Sequence, residues 1–248
     1  SNNAQIPVVY GRRKVGITRV FVESSGTDNE YLYIAGVVCE GEIEEIEQIF
    51  IDDKRVIFDG ALEDGVTREV SEDDLNFYKS NTSHIQIQAF YGTDDQIAST
   101  TLSESVNWTS EHRLRGVCYL ALRLKWNQDI FSSIPDIKVI LKGRKVYDPR
   151  DATTKYSQNS ALVLLDYLRN NRFGKGLPND AFEANFASFQ TSANEADTEI
   201  VPRTVVVVPQ PGITKQDFNG YYNDNTAFFA DRPVLSEDRI TTINSSVA

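Results

Sequence analysis

At 248 residues the chain is long enough to bury a substantial core, in one elaborate domain or two ordinary ones. Its 40% hydrophobic, 10% aromatic and 25% charged residues exclude a disordered chain. No apolar run reaches the ~20 residues needed to span a bilayer, so no membrane span is expected. The formal charge of −11 is concentrated: residues 40–74 hold 14 acids against Lys54, Arg55 and Arg68, and so account for all of it. Such a field repels phosphate backbones and argues against general nucleic-acid binding, although a solvated acidic face is the plainer reading.

There is no signal-peptide pattern at the start, and methionine is absent even at position 1. The numbering is therefore expected to begin inside a longer or processed chain. The first segment, IPVVYGRRKVGITRVFV (6–22), predicts two short strands broken at residues 11–14, as in a hairpin. EYLYIAGVVCEG follows as a strand buried on at least one face. From Glu42, EIEEIEQIFIDDKRVIF reads two ways: Ile43, Ile46 and Ile49 recur at helical spacing, whereas Ile49 and Ile51 alternate before a turn at Asp52 and Asp53. Strand is the preferred reading for its second half.

Residues 59–113 are polar and turn-rich, a candidate insertion carrying one amphipathic strand, HIQIQAF, with Ile85, Ile87 and Ala89 on one face. GVCYLALRLKW (116–126) alternates again. In IKVILKGRKVYDPR, Ile137, Val139 and Leu141 share a face opposite Lys138, Ile140 and Lys142; Gly143 permits a bend and Pro149 ends the run. The period then changes. NSALVLLDYLRNNRFGKGLP predicts a helix capped by Asn159 or Ser160, with Leu162, Leu165 and Leu168 aligned and Gly174, Gly176 and Pro178 closing it. Phe182, Phe186 and Phe189 predict a second amphipathic helix with an aromatic stripe, which at this spacing is core before it is a ligand box. A β run, PRTVVVVPQPG, precedes a Tyr- and Asn-rich tail. The expected class is α+β, mainly β: a barrel- or sandwich-like body over 1–150, then a helical segment and a β or irregular tail over 151–248.

Catalytic motifs are absent. There is no GxSxG elbow, Walker loop, strand-borne GxGxxG or HExxH, and GKGLP follows a helix instead of opening one. The pairs Asp52/Asp53 and Asp73/Asp74 are what chance provides in a chain with 36 acids. His84 and His112 are too few for a histidine metal site, and Asn223, Asp224 and Asn225 lack the glycine and distal glutamate of an EF-hand. Cys39 and Cys118 read as small buried hydrophobes, and their separation does not decide whether they pair. Neither enzymatic activity nor a cofactor is expected.

The order of five segments carries a further signal: IPVVYGRRKVG, then EYLYIAGVVCEGEIEEIEQIFIDDK, GVCYLALRLKW with IPDIKVILKGRKVYDPR, NSALVLLDYLRNNRFGKGLP and FEANFASFQTSANEAD. Together, over roughly residues 6–203, they resemble the hub region of tailed-bacteriophage tail-tip proteins, the host-specificity protein J-like family of the phage lambda type. The resemblance implies a structural virion protein at the tail tip or baseplate, with β-barrel-like domains related to tail-tube proteins. It further implies a homotrimeric hub that joins the tail tube, or a distal tail protein, and the tape measure to the host-recognising tip. DNA would pass through such a hub without specific binding, and carboxylates of 40–74 lining the lumen would keep it from sticking. No active site carries over.

Within LKGRKVYDPR (141–150), Lys142, Arg144 and Lys145 are expected to form an interface with acidic partners, in particular Glu42, Glu44 and Glu45 of a neighbouring subunit. The alternative function is a glycan- or receptor-binding module of the tail tip. Its candidate stacking residues are Tyr31, Tyr33, Trp108, Trp126, Tyr221 and Tyr222, whose plainer reading is core packing or interface.

Overall fold

The structure is a computed structural model that describes residues 5–178, 180–183 and 185–198. The described residues up to Asp197 belong to one compact unit; the expected β run at 202–212 and the tail behind it lie outside the described residues. The strands are β1 (Arg12–Gly16), β2 (Thr18–Ser25), β3 (Tyr31–Glu40), β4 (Ile43–Ile51), β5 (Lys54–Arg55) and β6 (Thr67–Glu69). They continue as β7 (Tyr78–Lys79), β8 (Thr82–Ser83), β9 (Ile85–Tyr91), β10 (Val117–Lys125), β11 (Ile137–Asp148) and β12 (Thr153–Tyr156). Three helices follow: α1 (Ser160–Arg169), α2 (Asp180–Glu183) and α3 (Phe186–Ala196). The class is α+β and mainly β, as the patterning predicts.

Two antiparallel sheets carry the fold. The first runs β1-β11-β4-β5, with β12 also paired to β11; the second runs β2-β3-β10-β9-β6; β7 and β8 form a separate small hairpin. Inward side chains of both sheets make one core, with Ile34 and Val38 of β3, Ile46 and Ile49 of β4, Ile85 and Ile87 of β9, Leu120 and Leu122 of β10, and Val139 and Leu141 of β11. The second sheet is buried on its other face too. There Tyr33, Ala35, Val37, Phe90, Tyr119 and Ala121 are covered by Leu102 and Trp108 from the 92–116 connection. That double burial explains why β3 is apolar almost throughout and why Val117 to Leu122 of β10 are all buried. Gln96 anchors the covering segment, since its buried side chain donates to the carbonyls of Arg113 and Val117 and accepts from the Gly92 amide.

The expected break at 11–14 is largely strand, since β1 covers Arg12–Gly16, and β1 and β2 do not form a hairpin. β1 pairs with β11, β2 pairs with β3, and the chain changes sheet at Ile17. The reason is that their apolar side chains belong to different cores, Val15 to the one between the sheets and Phe21 to the outer one against Trp108. β4 is a strand throughout. Ile140 pairs with Gln48 and Leu141 with Ile46, leaving Glu47 as an extra, bulged residue. A bulge shifts the two-residue alternation by one, so Ile46 and Ile49 both face the core at a helix-like spacing of three. Asp52 and Asp53, both at positive φ (48° and 61°), turn the chain into β5.

β11 continues through Gly143. The glycine is needed because residues 9–11 cross it: a Cβ there would collide with the Val9 carbonyl, while the Gly143 amide donates to Gly11 O at 2.9 Å and Arg144 N to Val9 O at 2.8 Å. β9 pairs along its length with β10 and places Ile85, Ile87 and Ala89 in the main core, so residues 59–113 supply a central strand as well as loops. The expected boundary at 150 falls inside continuous packing, because β12 pairs with β11 and α1 and α3 close over Val146 through Leu162 and Ala193.

The aromatic stripe lies on two helices instead of one. The chain breaks at Asn185, whose amide donates to Phe182 O; Phe182 is buried against Phe189, while Phe186 turns to Tyr147. Asn159 caps α1, its side-chain oxygen accepting from Ala161 N and Leu162 N, and its amide donates to Ala193 O and Asp197 Oδ1, both at 2.8 Å. One side chain thus starts α1 and holds the end of α3. Arg150 completes the clamp, forking onto the buried Asp148 carboxylate and reaching Asp197 at 2.7 Å.

Hydrogen bonding from Arg150 holds the Asp148 carboxyl below its ordinary range, and Asn159 with Arg150 does the same for Asp197. These groups bind protons less readily folded than unfolded. Their contribution is therefore fully present above the unfolded value of ~4 and is lost as pH falls through the lowered folded values. Helical circular dichroism followed from pH 6 to 2 should fall in a step that Asp148→Asn removes; an unchanged acid transition in that variant would contradict the clamp.

Candidate functional site

The basic face of β11 lies directly against the acidic face of β4. Lys142 pairs with Glu45, and Lys145 with Glu42 at 2.7 Å and with Glu44 at 3.9 Å. Further along, Lys138 bridges Asp53 (2.8 Å) and Asp136 (3.0 Å), and on β1 Arg12 reaches Glu47 at 2.6 Å. The antiparallel register brings these partners opposite one another, as in Lys142↔Glu45. Hydrogen bonds donated to these carboxylates raise the pKa of Lys138, Lys142 and Lys145, Asp53 accepting from the first, Glu45 from the second and Glu42 from the third. Glu42, Glu44 and Glu45, expected to meet these bases across a subunit boundary, pair with Lys142 and Lys145 within one chain. The physical reason is adjacency of the strands, which a distance of about a hundred positions in sequence conceals.

Arg144 points to other partners. Its Nε meets Asp166 Oδ2 at 2.9 Å, its guanidinium lies 5.2 Å from the Phe173 ring centre, and Tyr10 donates its hydroxyl to the same Asp166 oxygen. Burial, then the Asp166 hydrogen bond, pushes the Tyr10 pKa up. This triad ties the N-terminal segment, β11 and α1 together. Asp166 escaped the sequence reading, yet it sits four residues after Leu162 in a leucine-rich helix, so a carboxylate on the buried face was the available signal. Beside the triad, Arg144, Lys145 and Arg172 share a cleft of about 310 Å³ with Glu40 and Asp94, and Arg172 pairs with Glu40 at 3.0 Å. Mixed charge of this kind favours no single ionic ligand.

The candidate stacking residues separate cleanly. Tyr33 and Trp108 are core residues, 3% and 5% exposed, whereas Trp126 is 53% exposed and Tyr31 lines an open cleft. Tyr221 and Tyr222, and the Asn223–Asn225 triplet, lie outside the described residues. Cys39 and Cys118 face each other across β3 and β10, buried and not bonded, and burial pushes the Cys118 thiol up. His112 bonds to Thr109 and rests against Trp108. Among the described residues no group of three or more His, Cys, Asp or Glu is placed to hold a metal ion, and no helix is long and apolar enough to cross a membrane.

No protein-family model matches the chain. It is similar to the baseplate hub protein pb3 of Escherichia phage T5, 25% identical over 220 residues that cover 71% of this chain and 23% of that protein. The chain thus spans about a quarter of the length of the curated relative it matches. It is also similar to a chain in the virion of the native gene transfer agent particle, at 16% identity and a TM-score of 0.38, covering 74% of this chain and 36% of that one. The sequence likeness supports a protein of the phage tail or baseplate, located in the virion.

Proposed function

We propose that the chain is a non-enzymatic structural module of a tail-tip or baseplate hub, three copies of which join the tail tube and tape measure to the host-recognising tip. The sequence likeness to a phage baseplate hub protein carries this reading. Two features of the fold support it. The second sheet is buried on both faces, and β2 leaves a long strand edge whose Val20 and Val22 are 52% and 44% exposed, a surface suited to pairing with a neighbour. In the same reading the carboxylates of 40–74 outside the ion pairs, among them Asp59 and Asp73, are the ones left to present negative charge to passing DNA.

The test is native mass measurement of the full chain alone and with the tail-tube protein of its own phage. Trimers that bind tube rings are expected. A chain that remains monomeric and binds neither tube nor tape-measure protein overturns the proposal.

A further inference from the structure

The two cysteines of the chain meet in the fold. Cys39, next to last in β3, stands opposite Cys118, second in β10, in the antiparallel register. Both side chains are completely buried and belong to the core between the sheets, so both point to the same face of the second sheet. Directly opposed residues of an antiparallel pair have Cα atoms about 4.5 or 5.5 Å apart, inside the span of about 4.4–6.8 Å over which a disulfide closes. Their Cβ atoms, about 4.5–5.5 Å apart in a regular pair, need to approach by about 1 Å. The backbone has slack at this point: the register steps from Cys118↔Cys39 to Tyr119↔Val37 and leaves Val38 as a bulged residue beside the pair. Burial, then a hydrogen bond with Cys39, pushes the Cys118 thiol up, which keeps that sulfur protonated and slow to react while the strands stay closed.

The strand ends offer a route to the sulfurs. Only the Glu40↔Val117 pair and the bond from Gly41 N to Gly116 O, at 2.8 Å, separate the cysteines from the cleft that Glu40, Gly41, Gly92 and Gly116 line. Fraying of those two positions bares the thiols without unfolding either sheet. A protein located in a phage virion leaves a reducing cell interior for an oxidising medium. We propose that Cys39 and Cys118 are a cross-strand disulfide site, open inside the cell and closed by a small-molecule disulfide after release, which fastens β3 to β10. One cysteine thiolate attacks oxidised glutathione, forming a mixed disulfide and expelling one glutathione thiolate. The second cysteine thiolate attacks the protein sulfur of that mixed disulfide and expels the other. The pair gives up two electrons and two protons, and the reagent leaves as two glutathione thiols. Only the virion setting rests on the hub reading; the chemistry is tested on the chain alone, so a failure to trimerise does not touch it.

The test is incubation of the folded, reduced full chain with oxidised glutathione at about pH 8.5, where thiolates form, read by intact mass and by peptide mapping without reduction. The chain should lose two hydrogens, yield a peptide that links Cys39 to Cys118, and unfold at a urea midpoint higher by about 1 M, since the closed loop of 39–118 is long. Dithiothreitol should reverse all three. Cys39→Ala and Cys118→Ala should each abolish the link and the oxidant-dependent rise, whatever midpoint the variant itself has. A chain that keeps both thiols, stops at a glutathione adduct, links to a second chain instead, or gains no midpoint on oxidation overturns the assignment.

Discussion

Phe90→Ala should lower the stability of the chain by about 3–5 kcal/mol, read as a fall in the urea midpoint with an unchanged slope. Phe90 is 1% exposed and stacks on its cross-strand partner Tyr119, ring centres 4.5 Å apart and nearly parallel. Its neighbours Leu102 and Trp108 arrive from a connection with little regular structure of its own, so they cannot collapse into the void independently of that connection. The same substitution should speed amide exchange across residues 92–116 before it affects β11. A loss below about 1 kcal/mol would mean that the outer core is already loose.

Arg144→Ala should cost about 2–3 kcal/mol, whereas Lys142→Ala and Lys145→Ala should each cost less than about 1 kcal/mol. The three bases lie within four positions, but their surroundings differ. The lysines pair with half-exposed glutamates, where Coulomb attraction is weak and salt screens it. Arg144 is about one-fifth exposed and faces Asp166, whose side chain is 14% exposed; removing it leaves a sheltered carboxylate shared only with Tyr10. Thermal unfolding of the three single variants at low and high salt checks the ranking. Equal losses, or losses that vanish together in salt, would refute it.

Much of the strand content was legible because alternation is a local property. β10 and the first half of β11 follow directly from apolar residues two apart, and the Asn159 cap from a short polar residue before a leucine run. What was not legible depends on pairing. Glu47 carries no mark of a bulge until β11 is set beside β4, so the isoleucine spacing looked helical. Gly143 read as a bend because the backbone that crosses it comes from the far end of the chain. The charges of residues 40–74 and 138–145 looked like surfaces awaiting partners, and only the register shows that they are partners of each other.

The passage of the chain between sheets has a mechanical side. It crosses at Ile17 within one residue and again at Gly41 and Glu42, near the end of β3 that pairs with the start of β2, while residues 126–136 cross back at the opposite end. Sliding one sheet over the other would have to stretch covalent backbone at the Ile17 and Gly41–Glu42 end, and a trans peptide unit has almost no length to give. A shear load applied along the strands is therefore borne at that end by the main chain as well as by side-chain packing.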